Sequence, residues 1–222
     1  MKSECILMKN TTLFLLFLLS IPVFAQKEAN NWFFGQYAGL HFLDNGSVEP
    51  LDGSRMSTNE GCSSISDTQG NLLFYTDGRS VWDRNHILMP NADYFGGTGL
   101  LGDPSSAQSA IILPKKNDPN IYYIFTVDEP HHLNAEVYPN QFTGNYGTEP
   151  GDNVPNSDDG YNNGLNYSVV DLSITGANGS IGDVTTRNVQ LYTYDPANPD
   201  EAKYKCSEKV TAVKTIMAPA FG

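Results

Sequence analysis

Three side chains in the stretch GNLLFYTDGRSVWDRNHILM are of types that catalyse hydrolysis, namely Asp77, Asp83 and His86. Two carboxyl groups held a short distance apart are the acid and base that glycoside hydrolysis requires. The same residues also suit turns, because Asp77 precedes a glycine and Asp83 lies close before an asparagine. Aspartate in a turn accepts hydrogen bonds from its own backbone. Turn chemistry explains both carboxylates, so we predict a structural role and no catalytic residue.

A second group of metal-binding residue types lies at positions 129–136. His131 and His132 stand between Glu129 and Glu136. Successive side chains diverge in an extended chain, and the histidines lack the i, i+4 spacing that brings two zinc ligands onto one helix face. We therefore predict no zinc site in this segment.

The stretch GDNVPNSDDGYNNG places oxygen ligands on a glycine-rich loop. Asp152, Asn156, Asp158 and Asp159 offer the hard donors that calcium prefers. The pattern matches the D-x-[DN]-x-[DN]-G calcium loop incompletely and lacks its closing glutamate. A solvated acidic loop is the favoured interpretation and a weak calcium site is the alternative, so no cofactor other than this calcium is predicted.

Motifs of the common enzyme classes are absent from the sequence. It contains no nucleophile elbow, no P-loop and no dinucleotide fingerprint. We therefore predict that the chain is not an enzyme.

The elements that carry these residues are predicted to be β-strands. Short apolar runs rich in Val, Ile, Phe and Tyr recur between clusters of Gly, Asn, Asp and Pro. Turns in which Gly or Asn adopts positive φ are expected at 44–46, 67–70 and 77–78. The predicted strands are 32–34, 40–43, 63–66, 72–76, 80–82, 109–114, 122–127, 166–171, 189–194 and 209–214.

The order of these strands predicts an all-β domain, built as a partial β-propeller-like array of antiparallel blades. Segments 63–83, 109–128 and 166–194 each combine strands with a polar turn, at intervals of about 45–55 residues that suit blade repeats. A β-sandwich fits the same strand density and is the alternative. We expect Phe74 and Trp82 to pack between blades, and the long loop 129–164 to carry ligand contacts.

The first 25 residues predict a cleaved signal peptide. Lys2 and Lys9 precede an apolar run at 13–19, and Ala25 supplies the small residue of an exit site. The apolar run is shorter than the roughly 20 residues that a membrane-spanning helix needs. We expect residues 26–222 to form one exported domain that does not span a membrane.

The net charge limits the classes of molecule that the chain can bind, and the cysteine content bears on a disulfide. The formal net charge is −12, and loss of residues 1–25 makes it one unit more negative because two lysines and one glutamate leave with them. Such a surface repels phosphate backbones and anionic lipid, which disfavours nucleic acid as a partner and leaves proteins, glycans or cations. Export permits a disulfide between Cys62 and Cys206, with two buried thiols as an equal alternative.

Five blocks carry a family resemblance: NNWFFGQYAGLHF, STNEGCSSISDTQGNLLFYTDGRSVWDRNHILMPN, GTGLLGDPSSAQSAIILPKKNDPNIYYIFTVDE, GLNYSVVDL and EKVTAVK. In this order they resemble the N-terminal region of large secreted surface proteins of Bacteroidetes. The resemblance implies a propeller-like region, a type IX secretion sorting domain and the label gliding-motility-associated, but no enzymatic residue. Residues 215–222 depart from the family pattern and the sorting domain does not follow. We therefore expect a domain that is incomplete at its C-terminus.

These observations predict an exported, non-enzymatic module of the cell surface or extracellular space. Its role would be adhesion or interaction with an extracellular protein or glycan. One alternative is a carbohydrate-active hydrolase domain, because propellers also host hydrolases and a fold does not determine function. Another is a truncated gene product without an independent function.

Overall fold

The computed structural model describes residues 27–103, 106–127, 164–191 and 207–212. Within these ranges the chain forms ten β-strands, two short 3₁₀ helices and no α-helix, which confirms the predicted all-β fold. No helix of the described ranges is long and apolar enough to cross a membrane. The strands are β1 (Asn31–Phe33), β2 (Gly39–Phe42), β3 (Val48–Pro50), β4 (Ser63–Ser66), β5 (Leu72–Thr76), β6 (Val81–Asp83), β7 (Ala110–Pro114), β8 (Ile121–Val127), β9 (Leu165–Thr175) and β10 (Ile181–Gln190), and the 3₁₀ helices are Lys27–Ala29 and Pro90–Ala92.

The strands form three separate antiparallel sheets, in each of which every strand pairs with its neighbour in sequence. Sheet A contains β1 to β3, sheet B contains β4 to β6, and sheet C contains β7 to β10. A single bridge between Trp82 and Leu88 extends sheet B by one residue. Within the described ranges no sheet closes into a barrel.

The three sheets follow one another as blades do. The first strand of sheet A contacts the first strand of sheet B, which in turn contacts the first strand of sheet C. Strands β1, β4 and β7 are therefore neighbours, each at the start of its own meander. This arrangement fits the predicted partial array of blades, and a stack of sandwich type also fits it.

Sheet B contributes to two apolar cores, one with each neighbouring sheet. The core with sheet C is mainly aliphatic and includes Phe74, Ile124 and Val170, none of which is exposed. The core with sheet A is smaller and aromatic, and it contains Phe33 and Tyr75. Full burial of each such side chain contributes about 1.5–3 kcal/mol. Sheet B is thus the central layer of the described residues.

The inter-sheet packing predicted for Phe74 is confirmed, whereas the Trp82 ring stacks on a neighbour in its own sheet. Phe74 meets Tyr122 of sheet C edge-on, with ring centroids 5.4 Å apart at an interplanar angle of 81°. Trp82 stacks on Tyr75 at 5.4 Å and 15°, and Tyr75 stacks on Phe33 of sheet A at 4.6 Å. Phe74 therefore serves the contact with sheet C, and Trp82 belongs to the aromatic stack that joins sheets A and B.

One five-residue turn recurs at four places in the described residues. Its first N–H donates to the fifth carbonyl, its fourth N–H donates to the first carbonyl, and its fourth residue has positive φ. Glycine occupies the fourth position three times, because it adopts positive φ without steric cost. The exception is His86, with φ of 62°. The turns are 43–47, 67–71, 83–87 and 176–180.

Positive φ was predicted at the turns 44–46, 67–70 and 77–78, and the structure confirms it at Gly46, Gly70 and Gly78. Two other predictions are wrong in part. Strand β10 begins well before the predicted start at 189, because Gly182 and several register shifts interrupt its pattern with bulges. Residues 209–212, predicted as part of a strand, are irregular.

Strand β3 is not predicted from the sequence. Its three residues, Val-Glu-Pro, are all exposed, so no alternation of apolar and polar positions marks them. It lies at the edge of sheet A, where proline is tolerated in a strand.

Candidate functional site

Asp77 is a turn residue, as predicted. Its side chain is buried, and Oδ1 accepts hydrogen bonds from the backbone N–H groups of Arg79 (2.8 Å) and Ser80 (2.7 Å). Burial raises the pKa of this carboxyl group above its ordinary value, although the two backbone bonds oppose the shift. Asp77 thereby holds the turn that joins β5 to β6.

Asp83 is also a turn residue, and it makes a further contact that the sequence does not reveal. Its Oδ1 accepts hydrogen bonds from the N–H groups of Asn85 (2.8 Å) and Ile87 (2.9 Å). Its Oδ2 accepts a hydrogen bond from the N–H of Ile181 in sheet C at 2.7 Å. Both carboxylate oxygens of this unexposed side chain are therefore engaged by backbone amides.

His86, which the sequence leaves without a role, packs between sheets A and B. Its Nδ1 lies 3.1 Å from the hydroxyl oxygen of Tyr75, and its ring meets Phe33 edge-on at 5.7 Å. Burial lowers the pKa of the imidazole, the charge of Arg55 lowers it further, and the charge of Asp83 opposes both. These contacts make His86 part of the aromatic core between the two sheets.

Arg79 is buried at the junction of sheets B and C. Its Nη2 lies 3.3 Å from Oδ2 of Asp103, which is equally buried, and its Nε donates to the carbonyl of Gly102 at 3.1 Å. Its guanidinium carbon lies 4.5 Å from the ring centroid of Tyr94. The sequence shows only an arginine in a turn, and the ion partner lies too far along the chain to be inferred from it.

A cleft of about 540 Å³ opens beside sheet B, and it is here called the aromatic cleft. Its walls come from three segments that are separate in sequence: the loop after β1, the loop before β4 and the residues around and after β6. Asp77 and Ser80 also border the cleft. Its wall includes Tyr37, Arg55, Trp82, Asp93, Tyr94 and Phe95.

Tyr37 reaches the cleft through an unusual backbone conformation. Gln36 and Tyr37 both have positive φ, at 59° and 63°, which is uncommon for bulky side chains. The Tyr37 N–H donates to the carbonyl of Met56 at 3.0 Å, so the loop after β1 is held against the loop that carries Arg55. The Tyr37 side chain nevertheless remains 45% exposed.

Tyr94 and Phe95 form the opposite part of the wall. The Tyr94 N–H donates to Oγ of Ser80 at 3.2 Å, and the Tyr94 ring contacts Arg79. Phe95 meets Tyr94 edge-on with ring centroids 5.2 Å apart, and 61% of its side chain is exposed. A buried ion pair thus supports one aromatic ring, which in turn supports an exposed one.

Besides the buried Asp77, two side chains of opposite charge border the cleft. The guanidinium group of Arg55 is exposed and makes no hydrogen bond or ion pair with the rest of the described chain. Asp93 is half-buried, and its Oδ1 accepts a hydrogen bond from the N–H of Gly96 at 2.9 Å. The cleft therefore combines aromatic surface with one guanidinium group and the carboxyl groups of Asp93 and the buried Asp77, and a few polar groups in an apolar wall are typical of ligand sites.

Sequence reasoning did not single out any of these side chains except Trp82. A signal that could have drawn attention is the pair Tyr94-Phe95 followed by Gly96-Gly97, because large aromatic residues are unusual beside a flexible glycine pair. Nothing in the sequence predicts that this pair, Tyr37 and Arg55 share one cleft.

The predicted metal and disulfide residues lie mostly outside the described ranges. This holds for the calcium candidates Asp152, Asn156, Asp158 and Asp159, for His131 and His132, for the loop 129–163 and for residues 1–26. Among the described residues no three His, Cys, Asp or Glu side chains form a group that could hold a metal ion.

Cys62 is half-buried, and burial raises the pKa of its thiol, with a smaller contribution from the charge of Asp77. Its predicted partner Cys206 lies outside the described ranges. The disulfide therefore stays a prediction.

Comparison with known proteins finds no relative. No family model matches the chain, and neither the curated proteins nor the solved structures contain a significant match.

Proposed function

We propose that the chain is an exported, non-enzymatic binding module of a Bacteroidetes surface or secreted protein, serving adhesion or interaction with an extracellular protein or glycan. The observation that carries this proposal is the aromatic cleft. Its exposed Phe95 ring packs on Tyr94, and Tyr94 in turn contacts the buried Arg79. Exposed Tyr, Trp and Phe side chains at a concave surface are typical of binding sites.

The hydrogen bonds that the Asp77 and Asp83 carboxylates accept favour a binding function over a hydrolytic one. Both oxygens of Asp83 and one oxygen of Asp77 accept backbone hydrogen bonds, so these groups already have a structural task. A general acid and base would need to face the ligand at a suitable separation.

A hydrolase acting on carbohydrate is the second candidate, and one observation favours it. Asp77 and Asp93 both border the aromatic cleft, so two carboxyl groups face one cavity. The variant Asp93→Asn separates the two functions, because it would abolish turnover in a hydrolase, whereas asparagine keeps an oxygen that accepts hydrogen bonds and would at most weaken the binding of a binding module.

A combined binding and turnover experiment tests the proposal. The purified chain is applied to a glycan array and to a panel of purified extracellular matrix proteins, and every bound glycan is then incubated with it in solution and analysed for cleavage. Binding without release of reducing ends supports the proposal. Cleavage that Asp93→Asn abolishes would establish the hydrolase instead.

Export is tested separately. The gene is expressed in a Bacteroidetes host, and the N-terminus of protein recovered outside the cytoplasm is determined by mass spectrometry. We expect cleavage after Ala25, which leaves Gln26 as the first residue. Retention of an uncleaved chain in the cytoplasm would contradict the proposed location.

A further inference from the structure

We propose that the aromatic cleft is a saccharide-binding site that takes a neutral glycan. This inference rests on the proposed binding function and names the ligand class and the residues that recognise it. Tyr37, Trp82 and Phe95 provide the ring surfaces, and Arg55 and Asp93 provide the polar contacts.

The rings suit the apolar faces of a pyranose. One face of a sugar ring presents mainly C–H groups, which pack against the negative face of an aromatic ring. Tyr37 and Phe95 expose 45% and 61% of their side chains beside the cavity, and Trp82 is half-buried between the Tyr75 stack and the cleft. Three ring systems, one from the loop after β1 and two from the segment around and after β6, therefore border a space of about 540 Å³, enough for a short saccharide.

The rings are held in place before a ligand arrives. Trp82 is stacked on Tyr75, and the Phe95 ring rests against Tyr94. The backbone that carries the Tyr37 ring is fixed by its hydrogen bond to Met56 and by a left-handed conformation that a bulky residue adopts only when its surroundings impose it. Such preorganisation reduces the entropy lost on binding.

The charges favour a neutral ligand over a charged one. Arg55 and Asp93 border the same cavity, so a positive and a negative group offset each other there, and the Asp77 carboxyl group at its border is buried and accepts hydrogen bonds from the backbone of its own turn. Between them they can donate hydrogen bonds to sugar oxygens and accept hydrogen bonds from hydroxyl groups. The net charge of −12 for the whole chain opposes the approach of anionic glycans.

The two tryptophans allow a direct test. Only Trp32 and Trp82 are present, and Trp32 lies in sheet A away from the cleft wall. In a Trp32→Phe background, fluorescence therefore reports on Trp82 alone. This protein is titrated with neutral tetrasaccharides of glucose, xylose, mannose and galactose, each up to millimolar concentration, and the affinity of any ligand is confirmed by calorimetry on the wild-type chain.

We expect at least one tetrasaccharide to shift the Trp82 emission. Tyr37→Ala and Phe95→Ala are expected to weaken its binding by about tenfold or more, and Arg55→Gln by about three- to tenfold. Trp32→Ala is the matched control for Tyr37→Ala, because the two side chains are 46% and 45% exposed. Arg84→Gln, also at an exposed arginine, is the control for Arg55→Gln. Both controls should bind as the wild type does, and circular dichroism should show all variants folded.

Each failure has a distinct meaning. If none of the tetrasaccharides binds, the saccharide inference is wrong, whereas binding to a purified extracellular protein would leave the proposed function standing. If a saccharide binds equally well to Tyr37→Ala and Phe95→Ala, the chain is a binding module but the cleft is not its site. If the bound saccharide is cleaved, the non-enzymatic function is wrong, and loss of binding in the cleft variants would still support the location.

Discussion

The turns at 67–71 and 83–87 have the same backbone hydrogen bonds and differ in their surroundings. In each, the Oδ1 of the first aspartate accepts N–H bonds from the third and fifth residues. Asp67 is half-buried and its Oδ2 accepts a bond from the Asn71 side chain of the same turn, whereas Asp83 is unexposed and its Oδ2 accepts a bond from Ile181 of sheet C. Identical local chemistry thus forms one turn whose aspartate bonds within the turn and another whose aspartate connects sheet B to sheet C.

The fourth residue of the two turns differs in the same way. Gly70 adopts φ of 92° and its carbonyl accepts a hydrogen bond from the Asn31 side chain of sheet A at 2.8 Å, whereas His86 adopts φ of 62° and packs on Tyr75 and Phe33. A non-glycine residue at positive φ carries a conformational cost. Contacts with two aromatic rings offset that cost only in the turn at 83–87.

The largest difference is expected when each aspartate is truncated. Asp83→Ala removes three backbone hydrogen bonds from a buried site, so we expect a loss of about 2–4 kcal/mol in the free energy of unfolding. Asp67→Ala removes the two equivalent turn bonds and the bond from the exposed Asn71 side chain at a half-buried site, and it should cost about 1 kcal/mol because water can replace these partners. Urea unfolding of both variants measures the difference, and equal losses would show that the bond to Ile181 contributes nothing.

An isosteric substitution isolates the inter-sheet bond. Asn keeps the Oδ1 acceptor for the turn but replaces Oδ2 with an amide that cannot accept the Ile181 N–H. We expect Asp83→Asn to cost about 1–3 kcal/mol and Asp67→Asn less than about 0.5 kcal/mol. Hydrogen exchange at Ile181 should accelerate only in Asp83→Asn. Unchanged exchange there would contradict the assigned bond.

Exchanging residue types at the fourth position should give smaller effects. Gly70→Ala is expected to cost about 1–2 kcal/mol, because alanine at positive φ is strained and its Cβ would lie 2.9 Å from Nδ2 of Asn30. Gly46→Ala is the control, because no atom lies within 4 Å of an added Cβ and only the backbone cost remains.

His86→Gly relieves the backbone but removes the ring contacts with Tyr75 and Phe33. We expect it to lower the free energy of unfolding by about 1 kcal/mol, because aromatic contacts outweigh the relief. Chemical denaturation checks this value. A more stable His86→Gly protein would mean that the strain at this position exceeds the value of the packing.

The smallest expected effect is a pH dependence specific to the turn at 83–87. Burial lowers the pKa of His86 in the folded state, while the unfolded chain titrates at about 6.5. As the pH falls through this value, the unfolded chain binds more protons than the folded one, and stability is lost. The stability advantage of wild type over His86→Asn should therefore be smaller at about pH 5.5 than at about pH 7.5. Thermal unfolding at both values measures it, and a pH-independent difference would contradict the role of burial.

How well a feature of this molecule can be predicted from its sequence depends on how far apart in the chain the interacting residues lie. Strands β4 to β8 and the turns at Asp67 and Asp77 were predicted because their patterns lie within a few neighbouring residues. Strand β3 was missed because it has no buried face, and the start of β10 was missed because Gly182 introduces a bulge. Residues of the aromatic cleft were missed because they come from loops, whose positions depend on distant contacts.

By itself the sequence determined that this chain forms β-strands joined by aspartate and glycine turns, because alternation and turn chemistry are local. Only the tertiary structure decided which aspartate becomes an inter-sheet connection, since Asp83 and Ile181 are 98 positions apart. It likewise decided that Arg79 is buried against Asp103 and that Tyr37 and Phe95 face one cleft. Burial and ion pairing depend on which surfaces pack together when the sheets assemble. A short stretch of sequence does not determine which distant residues it will contact.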